Sequence, residues 1–585
     1  GARAFETISG EVVNVNLHVF DNVKPKDSSH IYGLNVSSAI NSIAKSADLK
    51  SFPITIVTQN SQLANPDYRI TIEELASHSL LSNYADGLHG QGTFDKGCFS
   101  LNYWEVVNLN ETWVFQQTTA LNGEGDLGGT QIFRWENGVG LLYELMELKK
   151  DEGYSSGKWK AGVCNWGKSG IAISGMGRLC VAHYLRKSYD ENVAVIIPKD
   201  EKILGPIYCF CKSSTFAAEV KKIDKNLKAS CNTLVKVPID LEYWIDVFKH
   251  DYPNGLPEPY SDDPTQWIFH GRPEHSSSPL HVAVARLLGY RWPAELDDKM
   301  RLSTEARGFV AKCEELLPFV DGDGIVGIPS IRGEEPAANR LRELLAKAYG
   351  AEYTHEKELS LIAATGSSAP DLDTWLRNDF FEQHCKLFNH RPFIWHIWDG
   401  RQRDGFNVLV NYHKLAEGDG KGRRLLDTLI YSYLGDWINR QKDELKREIG
   451  GADDRLTNAT ELQKRLKQIA DGDSPYDIFV RWKPLANQAI GWEPDINDGV
   501  RLNIRPFIQH FTYGKTGAGI LRWKPNINWN KDRGTEPKRA KEDYPWFWNG
   551  NEFTGERVND IHFDIETKQQ ARKTVSANKA EKTSV

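Results

Sequence analysis

WLRNDFFEQHCKLFNHRPFIWHIWDGRQRDGFNVLVNYHK, residues 375–414, is the stretch that frames the rest of this chain. Phe393, Trp395 and Ile397 alternate with Ile394, His396 and Trp398. Asp399–Gly405 supplies turn residues, and Phe406, Val408 and Val410 alternate with Asn407, Leu409 and Asn411 on the return. Period two along both arms predicts a β-hairpin, with one set of side chains on each sheet face. Arg391 stands at the entry, and Arg401 and Arg403 sit in the turn. A stiff hairpin with aromatic sides and a basic tip suits contact with a polyanion; a solvated charged turn is the plainer alternative.

Downstream, Leu425, Leu426, Leu429, Ile430, Tyr433, Leu434, Trp437 and Ile438 follow helical spacing, predicting a long amphipathic helix to about Ile449. Thr460-Glu-Leu-Gln463 has the form of a capping box opening a second helix through Ile469. DIFVRWKP (Asp477–Pro484) and AGILRWKP (Ala518–Pro525) then echo each other, each an apolar strand running into Arg-Trp-Lys-Pro. In such a tetrad Arg and Lys can pair with phosphates while Trp offers a stacking face, although a shared strand-ending preference would produce the same echo. The polar tail beyond Gln569 reads as disordered.

Upstream, Glu11–Phe20 and Phe52–Val57 read as strands, Ile70–Leu81 as a helix and the Gly-rich Leu81–Phe94 as a loop without phosphate-loop spacing. Trp159–Cys180 interleaves Gly, Lys and Trp; Asn192–Asp200 reads as a buried strand, Phe216–Leu227 as an amphipathic helix and Leu234–Leu241 as a strand. Asp251–Pro264, rich in Pro, Asp and Gly, reads as a linker into a helical segment.

At 585 residues the chain is expected to hold several domains, and no run of about 18 apolar residues marks a membrane span. The eight cysteines are scattered without a Cys-x-x-Cys pair, which suits a reducing, cytoplasmic setting and argues against zinc. The net charge of −7 hides two basic blocks: 14 Lys+Arg against 6 Asp+Glu over Ser155–Lys236, and 16 against 10 over Arg501–Val585. Basic blocks in an acidic chain point to oriented binding of something anionic, or to solvated surface. The opening GARAFETISGEVV has no signal-peptide core and enters patterned sequence directly, so a piece of a longer polypeptide is expected.

GARAFETISGEVV, SNYADGLHGQGTF, FRWENG, NVAVIIPKD with a strand over Pro206–Cys211, SCNTLVKVPIDLEYW, the hairpin, DIFVRWKPLANQAIGWEPDINDGVRLNIRPF and ILRWKPNINWNKDRG follow in that order. Together they resemble the carboxy-terminal half of the large adenine-N6 DNA methyltransferases of the type IIG, BREX and DISARM phage-defence group, nearest the DISARM type, over most of residues 1–560. The resemblance implies that a Rossmann-like amino-terminal domain binds S-adenosylmethionine while this half recognises duplex DNA. No cofactor is expected in this chain itself. Its one near match to the catalytic Asn-Pro-Pro-Tyr motif, Asn65-Pro66-Asp67-Tyr68, has Asp67 for the second proline and reads as a turn.

The expected fold is α+β: the end of a Rossmann-like methyltransferase sheet (1–60), a mixed target-recognition domain (61–255), a helical insert (256–370), the hairpin module (371–420), a helical spacer (421–472), a β-rich DNA-binding part (473–560) and a disordered tail (561–585). Candidate DNA contacts are Lys168, Arg178, Arg391, Arg401, Arg403, Arg481, Lys483, Arg522 and Lys524, with no catalytic, cofactor or metal residues assigned. Expected partners are duplex DNA, the methyltransferase domain and other phage-defence subunits, with no membrane. The rival readings are an autonomous enzyme with a degenerate site at Asn65, a carbohydrate-binding or hydrolytic protein, and an interaction scaffold.

Overall fold

The computed structural model describes residues 16–65, 68–72, 78–107, 109–120, 127–153, 157–175, 179–224, 229–508, 519–528, 536–557 and 561–583. The fold is α+β, with short sheets among many helices. Two compact units share the chain: a smaller one (1–92, 115–129 and 157–257) and a larger one (93–114, 130–156 and 258–585). The last crossing, Pro257 to Glu258, falls inside the segment read as a linker. Among the described residues no helix is long and apolar enough to cross a membrane.

The smaller unit is built on an antiparallel sheet in the order Ala85–His89, Val193–Pro198, Ile171–Ser174, Val181–His183. Val193–Ile196 is at most 2% exposed, as its unbroken apolar run predicts. Ala85–His89 lies in the stretch expected to be a loop. There Gly87 is a packing residue, not a turn signal: a Cβ on it would stand 2.8 Å from Val235 Cγ1 and 2.9 Å from Cys231 Sγ. Those neighbours belong to helix Cys231–Val235, which occupies part of the strand expected over Leu234–Leu241. Helix Leu204–Lys212 likewise replaces the strand expected over Pro206–Cys211. Gly205–Cys211 is buried throughout, and a segment buried on all sides carries no periodicity to distinguish helix from strand.

The amino-terminal part of this unit departs furthest from expectation. Residues 11–15 lie outside the described residues, and Asn16–Phe20 is irregular rather than strand. His30–Gly33 and Thr55–Thr58 pair antiparallel as a two-stranded sheet. Residues 73–77 of the helix expected over Ile70–Leu81 are outside the described residues, and Leu81–Asn83 forms a 3-10 turn. Two strands alone offer little burial; Val19 is 97% and Tyr32 66% exposed, and Leu17, Phe20, Ile54, Ile56 and Ile70 are exposed as well.

In the larger unit the hairpin forms as expected. Ile394–Trp398 pairs with Asn407–Asn411 in the register Ile394↔Asn411 to Trp398↔Asn407, and Ile325–Gly327 pairs along the far side of Asn407–Asn411. Every residue of both arms is buried, so the alternation marks two covered faces. Helix Phe380–Leu387 packs on the first arm, and His384 Nε2 accepts from Ile394 N at 3.2 Å. The long helix is Lys421–Asp427, a π-turn at Thr428–Tyr433 and Leu434–Lys446 in one run, with Ala452–Asp471 packed against the last of these. That second helix starts after Gly451 (φ 77°), and Thr460 lies inside it, donating from Oγ1 to Leu456 O at 2.7 Å. The capping-box pattern therefore misplaces the start; Asp453 and Asp454 in the true first turn complement the helix dipole.

Residues 473–560 are not β-rich among the described residues. Both tetrads are irregular, Gly499–Asn503 and Arg505–Ile508 are short helices, and only Trp548–Asn549 and Glu552–Phe553 pair as strands. The tail is helical over Ile565–Thr583. Its anchors are polar and so invisible to a hydrophobic pattern: Lys568 Nζ donates to Asp477 Oδ2 and Ala489 O, each at 2.9 Å, and Arg572 to Glu493 Oε2 at 2.7 Å.

A buried four-charge network ties distant segments of this unit. Arg481 pairs with Asp95 and Glu536, and Arg557 with the same two carboxylates at 3.3 and 3.0 Å; all four side chains are between 1% and 7% exposed. Charges this deep persist because each has a partner. Removing Arg481 leaves Asp95 to Arg557 and Glu536 to Arg557 and Arg539, so Arg481→Ala is expected to lower stability by about 1–3 kcal/mol, read as a fall in the urea unfolding midpoint. Burial also holds imidazoles neutral: His270, His281 and His413 are lowered to about 4, His396 to about 3, and His384 well below its usual value. In the unfolded chain they protonate below about pH 6.5, so each costs about 1.4 kcal/mol per pH unit as pH falls from there towards its folded value. Asp399 and Asp498, pushed up to about 6 by burial, work in the opposite sense over the same fall but are fewer. The urea midpoint of this unit is therefore expected to drop between about pH 6.5 and about pH 4.5, and an unchanged midpoint would refute neutral burial.

Candidate nucleic-acid interface

The two Arg-Trp-Lys-Pro tetrads meet opposite fates. In the first, Arg481 is consumed by the buried network just described. Lys483 Nζ lies 2.9 Å from Asp495 Oδ2 and 2.6 Å from Asp498 Oδ2. Burial opposes the lysine's charge, but Asp498 and Asp495 outweigh it and raise its pKa. Trp482 is 6% exposed, so neither cation nor ring is offered to a ligand. The expectation that Arg481 and Lys483 contact phosphate is corrected on this ground: carboxylates already satisfy them, Asp95 and Glu536 from remote segments for Arg481, and the nearby Asp495 and Asp498 for Lys483.

The second tetrad is anchored to the hairpin and left open. Trp398 N donates to Ile520 O and Arg522 N to His396 O, at 3.1 and 3.0 Å, so residues 520–522 run along the free edge of the first arm. Arg522 is 7% exposed. Its guanidinium lies 4.0 Å from the Trp398 ring centroid, and Nη2 donates to Asn378 Oδ1 at 3.0 Å and Gln402 Oε1 at 2.8 Å. No carboxylate pairs with it among the described residues, and Nη1 has no hydrogen-bond partner there. Burial, then Arg377, lower its pKa to about 10. Arg522 is thus a buried anchor without an ion pair among the described residues, its charge partly favoured by Asp379, rather than an exposed contact. Trp523 is half-buried, with the His390 ring 5.8 Å away at 17° and Lys386 Nζ 5.9 Å from its centroid; Lys524 is exposed.

The hairpin tip divides likewise. Arg401 makes two 3.0 Å hydrogen bonds to Asp404, through Nε and Nη2, which removes it as a ready phosphate contact. Arg403 is exposed, with no side-chain partner among the described residues. Asp399 shapes the turn, accepting from Arg401 N at 3.1 Å and Phe406 N at 2.9 Å. Arg391 is half-buried: Nη1 donates to His390 O at 3.0 Å, and its charge partly offsets the buried Glu105, whose pKa burial raises. In the smaller unit Lys168 is exposed without a side-chain partner among the described residues, and Arg178 lies outside them. Arg403, Lys524 and Lys168 therefore remain as accessible candidates. Lys386, His390 and Gln402, which complete the surroundings of Arg522 and Trp523, carry no sequence signal of that role.

Asn65 closes a turn. Its carbonyl accepts from Tyr68 N at 3.0 Å, and Nδ2 donates to Gln62 Oε1 at 2.9 Å and Arg69 O at 2.8 Å; Pro66 and Asp67 lie outside the described residues. An amide already engaged in this way is not presented to a substrate.

No protein-family model matches the chain. Over 214 residues it is 24% identical to the adenine-specific methyltransferase BrxX of Escherichia coli O9:H4 (strain HS), and over 210 residues 23% identical to the adenine-specific methyltransferase PglX of Lacticaseibacillus casei (strain Zhang). Each match covers 34% of this chain but only 16% of the relative. The chain is thus a distant relative, over about a third of its length, of proteins named adenine-specific methyltransferases.

Proposed function

We propose that this chain is the duplex-DNA recognition part of an S-adenosylmethionine-dependent adenine-N6 DNA methyltransferase, cytoplasmic and belonging to a restriction or phage-defence system of the type IIG, BREX and DISARM group, nearest DISARM. The observation that carries the reading is the open second tetrad: an exposed lysine and a half-buried indole beside a buried arginine that makes no ion pair among the described residues. The similarity to proteins named adenine-specific methyltransferases supports the enzyme class. A partner for the reading exists in chemistry as well: exposed Leu17, Val19, Phe20, Tyr32, Ile54 and Ile56 suit docking by the methyltransferase domain, since apolar groups in such number are covered in a working assembly. Other defence subunits are further proposed partners.

Duplex binding is expected to weaken steeply with salt, because phosphate contacts release counterions. Arg403→Ala, Lys524→Ala and Lys168→Ala are each expected to reduce the slope of log K against log salt by about 0.9 while leaving stability unchanged. Lys483→Ala is expected to leave the slope alone. Flat salt dependence in the parent chain would remove the DNA reading. Methyl transfer is assigned to the partner domain, so calorimetry of this chain with S-adenosylmethionine is expected to show no micromolar binding; a clear signal there, lost in Asn65→Ala, would favour the autonomous-enzyme reading.

A further inference from the structure

The two tetrads form an internal control. The same four residues occur twice, once with the indole shut in at 6% exposure and both cations paired, once with the indole half-exposed and Lys524 free to solvent. Conserving strand geometry cannot explain the open copy, since neither tetrad forms a strand ladder of its own beyond the Ile397↔Leu521 bridge.

From this contrast we infer that Trp523 is a stacking platform for one unpaired nucleobase, with Lys524 and Lys386 set to meet the flanking phosphates. The inference rests on the nucleic-acid reading above and adds to it the form of the ligand. Three observations carry it. The ring is held before any ligand arrives: Arg522 is clamped by Asn378, Gln402 and Trp398, its N–H is bonded to His396 O, and His390 supports the indole in a nearly parallel stack. A pre-set ring loses little entropy on binding. Lys386 is 60% exposed and, among the described residues, forms an ion pair only with Glu382, one helical turn away at 2.7 Å, a surface contact worth a few tenths of a kcal/mol, so a phosphate can claim it. Arg522, the preceding residue, adds a buried guanidinium that makes no ion pair among the described residues, with Arg377 and Asp379 both within electrostatic reach. Bases inside a duplex already stack on both sides; only a base out of the stack can lie on an indole.

The test uses the full chain with two probes, a short single-stranded oligonucleotide carrying one 2-aminopurine and a blunt duplex. Trp523→Ala is expected to weaken single-strand binding about thirtyfold, the middle of the range for losing one base–aromatic stack, and to leave duplex affinity within about twofold. The parent chain is expected to quench 2-aminopurine emission, and Trp523→Ala to restore it. If Trp523→Ala also lowers the melting temperature, Trp523→Phe against Trp523→Leu carries the comparison: both fill the space and only phenylalanine stacks. Equal single-strand affinity in these variants, or equal losses on both probes, overturns the platform while leaving duplex recognition intact. Trp523-dependent single-strand binding without duplex binding supports the platform and removes the duplex reading. Binding of neither probe removes both.

Discussion

A β-hairpin buried on both faces has to be covered twice. The arms Ile394–Trp398 and Asn407–Asn411 include Trp395, Trp398, His396 and Asn407, all at 0% exposure. Indoles of this size contribute strongly to a core only when packed, and the polar members must be paired inside it. His396 Nε2 and Asn407 Oδ1 meet at 2.8 Å, and the Trp398 indole Nε1–H donates to the carbonyl of Leu521 at 3.1 Å. The need to cover the hairpin thus draws in helix Phe380–Leu387 and the backbone of residues 520–522. The second tetrad sits where it does because its backbone completes that edge.

This constraint also separates the two copies of Arg-Trp-Lys-Pro. Position 481 faces Asp95 and Glu536, so its arginine becomes a strut in a closed charge network. Position 522 faces amides and an indole, so its arginine is held in place without an ion pair among the described residues. Partnered buried charge is structural, whereas a cation held only by neutral groups continues to attract anions. Side-chain identity is the same in both; the environment decides between framework and site.

The hairpin was legible because period two and turn chemistry are local properties, and the helix Leu434–Lys446 was legible for the corresponding reason at period 3.6. The errors share a physical origin. Leu204–Lys212 is buried on all sides and has no stripe to read. Gly87 resembles a turn residue until helix Cys231–Val235 is seen pressing on it. The tail helix is held by Lys568 and Arg572 through carboxylates and carbonyls, contacts that hydrophobic patterning does not register.

Sequence alone determined the mixed α+β character, the central hairpin, the basic segments and the repeated tetrad, since each is written in neighbouring residues. Tertiary structure alone decided which cations remain available. Arg401, Arg481 and Lys483 are taken up by carboxylates, those of Arg481 from segments remote in sequence, while Arg403 and Lys524 stay exposed. The reason is that a charge is a property of one residue, but its neutralisation is a property of a pair, and the pairs here form only when the chain folds.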